Sequence, residues 1–83
     1  MNYLQSLEDL ISHYRMGVQI SLKNNDLKSA YNFTKIMVDC LPKGYKSRLD
    51  GNLSKKTLKD LIRRNERNIA RLHKRQNYTG VKQ

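Results

Sequence analysis

Basic side chains are concentrated in the stretch LIRRNERNIARLHKRQ, at positions 61–76. It contains six Lys and Arg residues and one acid, Glu66. Arginine presents a planar fork of N–H donors that matches the oxygens of a phosphate or a carboxylate. A surface that needed only solubility would mix charges of both signs. The residue types and their spacing therefore favour the binding of an anion, phosphate above all.

Groups that support catalysis or hold metals are few and scattered. The chain has two histidines, His13 and His73, one cysteine, Cys40, and seven carboxylates with no clustered spacing. No glycine-rich phosphate loop and no nucleophile elbow occurs in it. The sequence therefore predicts a protein that is not an enzyme and that has no metal site and no cofactor. The apolar residues around Cys40 favour a buried, structural thiol.

Composition also indicates the compartment. A lone cysteine cannot form an intramolecular disulfide, which favours a reducing environment. Glu8 and Asp9 stand where a signal peptide would be basic, and no apolar run approaches the roughly 18 residues of a membrane span. We therefore predict a cytoplasmic protein with no membrane span. Its 83 residues are enough for one domain.

Apolar residues at three- and four-residue spacing predict an all-α fold with helices at about residues 3–22, 26–41 and 54–76. A short turn before the N-cap Asp26 predicts that the first two form an antiparallel hairpin. Residues 1–76 then make one helical domain, and residues 77–83 a mobile tail. The predicted core stripes are Leu4, Leu7, Ile11, Tyr14 and Val18 in the first helix, and Leu27, Ala30, Phe33, Met37 and Leu41 in the second.

The third helix is predicted to be long, basic and amphipathic. At about 100° per residue its Leu and Ile side chains fall on one side, and most of its Lys and Arg side chains fall on the other. The apolar side would dock on the hairpin, which leaves a basic face about 35 Å long. The preceding loop adds further bases. The predicted nucleic-acid-binding residues are Lys46, Arg48, Lys56, Lys59, Arg63, Arg64, Arg67, Arg71, Lys74 and Arg75.

Charge is segregated along the chain. Residues 1–40 carry four basic and four acidic side chains, whereas residues 41–83 carry thirteen and three, so the second half holds the whole net charge of +10. The expected partner is a polyanion, either RNA or another nucleic acid. The continuous charge is less typical of a helix-turn-helix DNA reader. An alternative is a protein antagonist that applies its basic face to an acidic host partner.

Three further residues leave alternatives open. Tyr45 and Tyr78 are suited either to stacking on unpaired bases or to packing at helix ends. Asn65 falls on the apolar side of the third helix. A polar residue there either sets the register of a homodimer or lies at the edge of a short core.

The string RNIARLH, from Arg67 to His73, resembles the signature of the HEPN ribonucleases: an Arg, a polar residue, four further positions and a His, on a late helix of an all-α domain. This resemblance implies metal-independent RNA cleavage at a site shared by two protomers. Arg67, Asn68 and His73 would be its active-site residues. A ribonuclease is therefore a second alternative to RNA binding without catalysis.

The chain as a whole is similar in style to the small accessory proteins that large tailed phages use against host machinery. It is short, basic and rich in Lys, Asn, Ile and Tyr. The resemblance implies a role in host takeover or anti-defence. It favours an antitoxin-like inhibitor of an RNA-processing or RNA-cleaving host factor.

Because the charge is confined to the second half, we expect nucleic-acid binding to be electrostatic and to weaken steeply with salt. If about five phosphates are engaged, log K against log salt should have a slope of magnitude about 3.5–4.5, the lower value for single strands. Fluorescence anisotropy at increasing salt concentration measures this slope. Binding that does not change with salt would contradict the expectation.

Overall fold

A computed structural model of the chain describes residues 3–51 and 53–81, with side chains described for residues 7–51 and 53–75. The predicted all-α fold is confirmed. Helix α1 spans Tyr3–Lys23, α2 spans Leu27–Cys40 and α3 spans Lys55–Val81. No strand occurs in the described part of the chain. None of its helices is both long and apolar enough to cross a bilayer.

Helices α1 and α2 pack against each other as the predicted hairpin. Asn25 in the turn has a φ of 58°, a left-handed conformation that asparagine tolerates better than most residues. Asp26 is the N-cap of α2: its carboxylate accepts hydrogen bonds from the Ser29 backbone N–H at 3.1 Å and from the Ser29 hydroxyl at 2.7 Å. These bonds favour the ionised carboxylate, so the pKa of Asp26 is lowered.

The buried stripe of α1 agrees with the sequence pattern, because Leu7, Ile11, Tyr14 and Val18 are all in the core. The side chain of Leu4 lies outside the described residues. The stripe of α2 is rotated from the predicted one: its buried residues are Ala30, Thr34, Met37 and Val38, followed by Leu41. Thr34 is tolerated there because its hydroxyl donates a 2.8 Å hydrogen bond to the Ala30 carbonyl.

The prediction of a buried Phe33 is wrong, since this side chain is 38% exposed. Its ring occupies the space that Gly17 leaves free: a Cβ at Gly17 would lie 2.6 Å from the ring. Phe33 therefore packs on the outer edge of the hairpin, and Ile36 is exposed beside it. Cys40, four residues after Ile36, is also exposed. The prediction that its thiol is buried is wrong, because residue 40 lies on the same outer side of α2 as Ile36.

Helix α3 runs in the same direction as α2. Near its start, Leu58 and Leu61 pack with Ala30, close to the beginning of α2. Further along, Ile69 packs in a cluster with Met37, towards the end of α2. The segment between the two helices therefore has to return along the length of the bundle before α3 can begin. We call residues 41–54 the return segment.

Helix α3 begins next to Ser54, whose hydroxyl accepts a 3.3 Å hydrogen bond from the Thr57 backbone N–H. It ends at Val81, beyond the end predicted at Gln76. The stretch NYTG contains no proline, and a single glycine costs an established helix only about 1 kcal/mol. Whether residues 77–83 are mobile stays a prediction, and residues 82–83 lie outside those described.

A polar group lies within the core at the centre of α3. Asn65 is fully buried, near Tyr14 of α1 and Thr34 of α2. Burial raises the pKa of the Tyr14 phenol, and the neighbouring Asn65 amide and Thr34 hydroxyl only moderate this effect. No well-aligned hydrogen bond reaches the Asn65 side chain from the described residues. Asn65 lies neither at the edge of the core nor on a surface where a second copy's helix could reach it.

Replacing Met37 and Phe33 separately with Ala tests the rotated stripe of α2. Met37 is fully buried, so its truncation should cost about 2–5 kcal/mol through lost burial and a cavity. The Phe33 variant should lose clearly less. Urea unfolding followed by circular dichroism gives both values. Ile36→Ala, at a position that is 56% exposed, serves as the control and should stay within about 0.5 kcal/mol of the parent. Equal losses for Met37 and Phe33 would contradict the observed burial.

Tyr14 should make stability depend on alkaline pH. Its folded-state pKa is raised above the ordinary value of 10.0, so the unfolded chain releases the phenol proton first as pH rises. The contribution of Tyr14 is therefore complete below pH 10 and is lost between pH 10 and its folded-state pKa. Unfolding free energies of the parent and of Tyr14→Phe are measured from about pH 8 upward, and above about pH 10 the value for the parent should fall relative to that of the variant. Curves that stay parallel would show that the phenol is not protected from ionisation.

Candidate nucleic-acid interface

The return segment lies along α3 and contacts it at successive positions. Near its start, the Tyr45 hydroxyl accepts a 3.4 Å hydrogen bond from Arg75 Nη1. Two residues later, the Ser47 hydroxyl oxygen accepts a 2.9 Å bond from Asn68 Nδ2. Leu49 then packs on the cluster that contains Leu58. As the segment advances, its contacts move towards the beginning of α3, so the two run antiparallel.

The end of the return segment is also held, by α2. The Gly51 backbone N–H donates a 3.1 Å hydrogen bond to the Tyr31 hydroxyl. Gly51 has a φ of 77°, a conformation that costs glycine little and other residues more. Earlier in the segment, Lys46 Nζ donates to the Asp39 backbone carbonyl at 3.2 Å, at the carboxyl end of α2. The segment is thus attached to both helices that it joins.

A basic pocket of about 280 Å³ lies between the return segment and α3. We call it the arginine pocket. None of the described residues that line it is acidic. Four of the six lining residues are arginines, all of them exposed, and the other two are polar. The lining residues are Ser47, Arg48, Arg64, Arg67, Asn68 and Arg71.

Two neighbours hold one of these arginines in place before any ligand binds. Arg71 Nη1 donates a 3.1 Å hydrogen bond to Asn68 Oδ1, and its guanidinium lies 5.1 Å from the centre of the Tyr45 ring. The second contact is a cation–π interaction. Because Asn68 also binds Ser47, one amide joins the return segment to Arg71. Less side-chain freedom is then lost when an anion binds.

The electrostatics of the pocket are unfavourable without a ligand. Arg64, Arg67 and Arg71 are three or four positions apart on one helix, where like charges repel by a few tenths of a kcal/mol per pair. An anion that bridged them would replace this repulsion with attraction. Next to the pocket, the hydrogen bond to Tyr45 raises the pKa of Arg75, which like the other arginines is charged at neutral pH.

The ten residues predicted as nucleic-acid-binding are therefore not equivalent. Arg48, Arg64, Arg67 and Arg71 come together in the pocket, and Arg75 lies next to it at Tyr45. Lys46 is directed to the end of α2. Arg63 is 3.7 Å from the Asp60 carboxylate in an exposed ion pair. The remaining three are exposed on α3: Lys56, Lys59 and Lys74.

Sequence reasoning missed the contribution of Ser47 and gave Asn68 a different role. A serine in a loop carries no signal of its partner, because the partner depends on how the loop folds back. Of the two alternatives for Tyr45, stacking on bases or packing, the structure shows packing. Its ring lies against the core cluster and against Arg71. The side chain of Tyr78 lies outside the described residues.

The opposite edge of α3 is paired with α1. Arg15 donates to both oxygens of Glu66, with Nη2 to Oε1 at 2.7 Å and Nε to each oxygen at 3.1 Å. This carboxylate raises the pKa of Arg15. His73 Nε2 lies 2.6 Å from Glu8 Oε1. The Arg15–Glu66 pair joins α1 to α3, and neither acid is among the described residues that line the arginine pocket.

Within the RNIARLH string, the structure separates the two ends. Arg67 lines the arginine pocket, whereas His73 faces Glu8 on α1. Helical geometry puts the two side chains about 120° apart around α3. Among the described residues, no group of three or more His, Cys, Asp or Glu is placed to hold a metal ion.

Comparisons with known proteins identify no relative of this chain. No protein-family model matches the sequence, and comparisons with curated proteins and with solved structures give no significant match. The geometry and charge of the arginine pocket are therefore the observations that bear on function.

Proposed function

We propose that the protein binds nucleic acid, and RNA above all, without catalysing a reaction. The binding surface consists of the exposed basic residues of α3 and the arginine pocket. The observation that carries the proposal is the pocket. Four arginines from two parts of the chain line one cavity that has no acidic residue in its described lining. Arginines in such an arrangement suit phosphate groups, which accept paired N–H donors.

The distribution of charge supports an extended ligand. Exposed bases run from Lys56 to Arg75 on α3, a distance of about 28 Å along the helix axis. A row of this length offers contacts to several successive phosphates, and the release of their counterions would drive association. The α1–α2 hairpin, on the other side of the bundle, has no net charge and would add little to the binding of a polyanion. The ligand would therefore lie along α3 and beside the return segment.

Single-stranded or irregular RNA fits this surface better than a DNA duplex read by sequence. The exposed bases of α3 run continuously from Lys56 to Arg75, whereas a recognition helix groups a few polar residues that read bases. The exposed face consists mainly of cations, which contact phosphates rather than base edges. We therefore propose binding directed by phosphate position and shape.

An inhibitory role is the biological part of the proposal. Its support is the resemblance in style to small phage accessory proteins. A protein that covers RNA phosphates would block an RNA-processing or RNA-cleaving host factor by hiding its substrate. In the cytoplasm of a host cell such a factor and its RNA would both be accessible to it.

A matched pair of triple variants tests the proposal. Changing Arg64, Arg67 and Arg71 together to Gln removes three charges from the pocket. Changing Lys23, Lys28 and Lys35 to Gln removes the same charge from the exposed surface of the hairpin. The pocket variant should bind labelled single-stranded RNA at least about tenfold more weakly, and its salt slope should fall by about one unit for each phosphate that it no longer neutralises. The hairpin variant should bind nearly as well as the parent.

Circular dichroism should show the same helix content in both variants. Equal weakening in the two would mean that net charge, and not the pocket, determines binding. The labelled RNA should also remain intact during incubation without metal. Cleavage that disappears in His73→Ala would replace the proposal with the ribonuclease alternative, in which this histidine transfers a proton.

A further inference from the structure

We infer that the arginine pocket is a subsite for a terminal phosphate, the phosphate monoester at one end of an RNA strand. This inference rests on the proposed function and names the part of the ligand that the pocket would select. The pocket differs from the rest of the basic surface because it is concave and draws its arginines from both the return segment and α3. Elsewhere the bases of α3 lie side by side on a convex helix.

Charge matching favours a monoester over an internal phosphate. A phosphodiester within a strand carries one negative charge and two oxygens that accept freely. A terminal monoester carries about −1.5 to −2 at neutral pH and has three such oxygens. The four arginines that line the cavity carry more positive charge than a single diester can neutralise. The terminal monoester, which has the higher charge density, therefore gains more binding free energy in the pocket than a diester does.

The polar residues of the pocket complete a set of donors. The Ser47 oxygen already accepts a hydrogen bond from Asn68, so its own proton is available to donate to an anion. Asn68 uses its nitrogen on Ser47 and its oxygen on Arg71. It is thus a positioning residue: it fixes a hydroxyl donor and a guanidinium donor at the pocket wall. All groups offered to the ligand are then donors, as an anion requires.

The exposed row of bases beyond the pocket indicates what the phosphate is attached to. From Arg67 towards the beginning of α3, Arg63, Lys59 and Lys56 are all exposed, and one acid, Asp60, lies among them in an exposed pair with Arg63. They extend about 16 Å from the pocket, which leaves room for further phosphates of the same strand. A nucleic-acid strand supplies an anion with every nucleotide, whereas a phosphorylated peptide would do so along this row only where it carried acidic side chains. The surroundings therefore favour a nucleic-acid end over a phosphopeptide.

The test compares three forms of one short single-stranded RNA, with a 5′-phosphate, with a 3′-phosphate, or with hydroxyls at both ends. Binding of each to the full chain is measured at one salt concentration by anisotropy. We expect one phosphorylated form to bind at least about fivefold more tightly than the form with two hydroxyl ends. Which form binds more tightly identifies the end. Inorganic phosphate should compete with that form more effectively than with the hydroxyl form.

Two sets of variants distinguish the contribution of the arginine pocket from that of the exposed row of bases on α3. Ser47→Ala and Asn68→Leu should each weaken binding of the phosphorylated form by a larger factor than binding of the hydroxyl form, so that the preference falls. Combined replacement of Lys56 and Lys59 with Gln should weaken all three forms by the same factor and keep the preference. Ser47→Ala removes a single hydroxyl in a loop, so it serves if Asn68→Leu disturbs the fold.

The outcomes distinguish this inference from the proposed function. If all three forms bind equally well, the terminal-phosphate subsite is wrong and general RNA binding stands. If none binds, both fail. Tighter binding of a phosphoserine peptide than of any RNA form would overturn the inference in favour of a protein ligand.

Discussion

The parallel course of α2 and α3 is the constraint on which the candidate site depends. Two neighbouring helices that run in the same direction cannot be joined by a tight turn, because the chain leaves one at its far end and must enter the next at its near end. The return segment covers that distance. It does so in contact with α3, through Tyr45, Ser47 and Leu49 in turn. An antiparallel α3 would have needed only a short loop. The arginine pocket would then have no second side opposite Arg64 and Arg67.

Charge is arranged so that the bundle tolerates its excess. Where α3 meets α1, Arg15 forms an ion pair with Glu66, and His73 lies beside Glu8. Exposed pairs of this kind contribute at most about 1 kcal/mol each, so their main effect is on orientation. They hold one edge of α3 at the hairpin. The other edge keeps its uncompensated arginines, and their repulsion is offset only when an anion binds.

Packing and polarity compete at the centre of the bundle. Asn65, Tyr14 and Thr34 bring polar atoms from all three helices into a small apolar core. Buried polar groups without well-aligned partners cost about 1–3 kcal/mol each, which is a large part of the stability of a domain of this size. The outer edge of the hairpin, in contrast, leaves large apolar side chains exposed, among them Met16 and Ile36. The chain thus combines a core that is partly polar with a surface that is partly apolar.

The sequence by itself determined the number of helices, their approximate ends, the hairpin and the concentration of charge on α3. These follow from local properties: the spacing of apolar residues, the cap at Asp26, and the arginines on one side of a helix. Tertiary structure decided the direction of α3, the exposure of Phe33 and the burial of Asn65. It also decided that Ser47 and Arg48 would meet Asn68 and the arginines of α3. The physical reason is that a periodic stripe shows which side of a helix is buried but not which helix covers it. The partners of a loop depend on where the next helix docks.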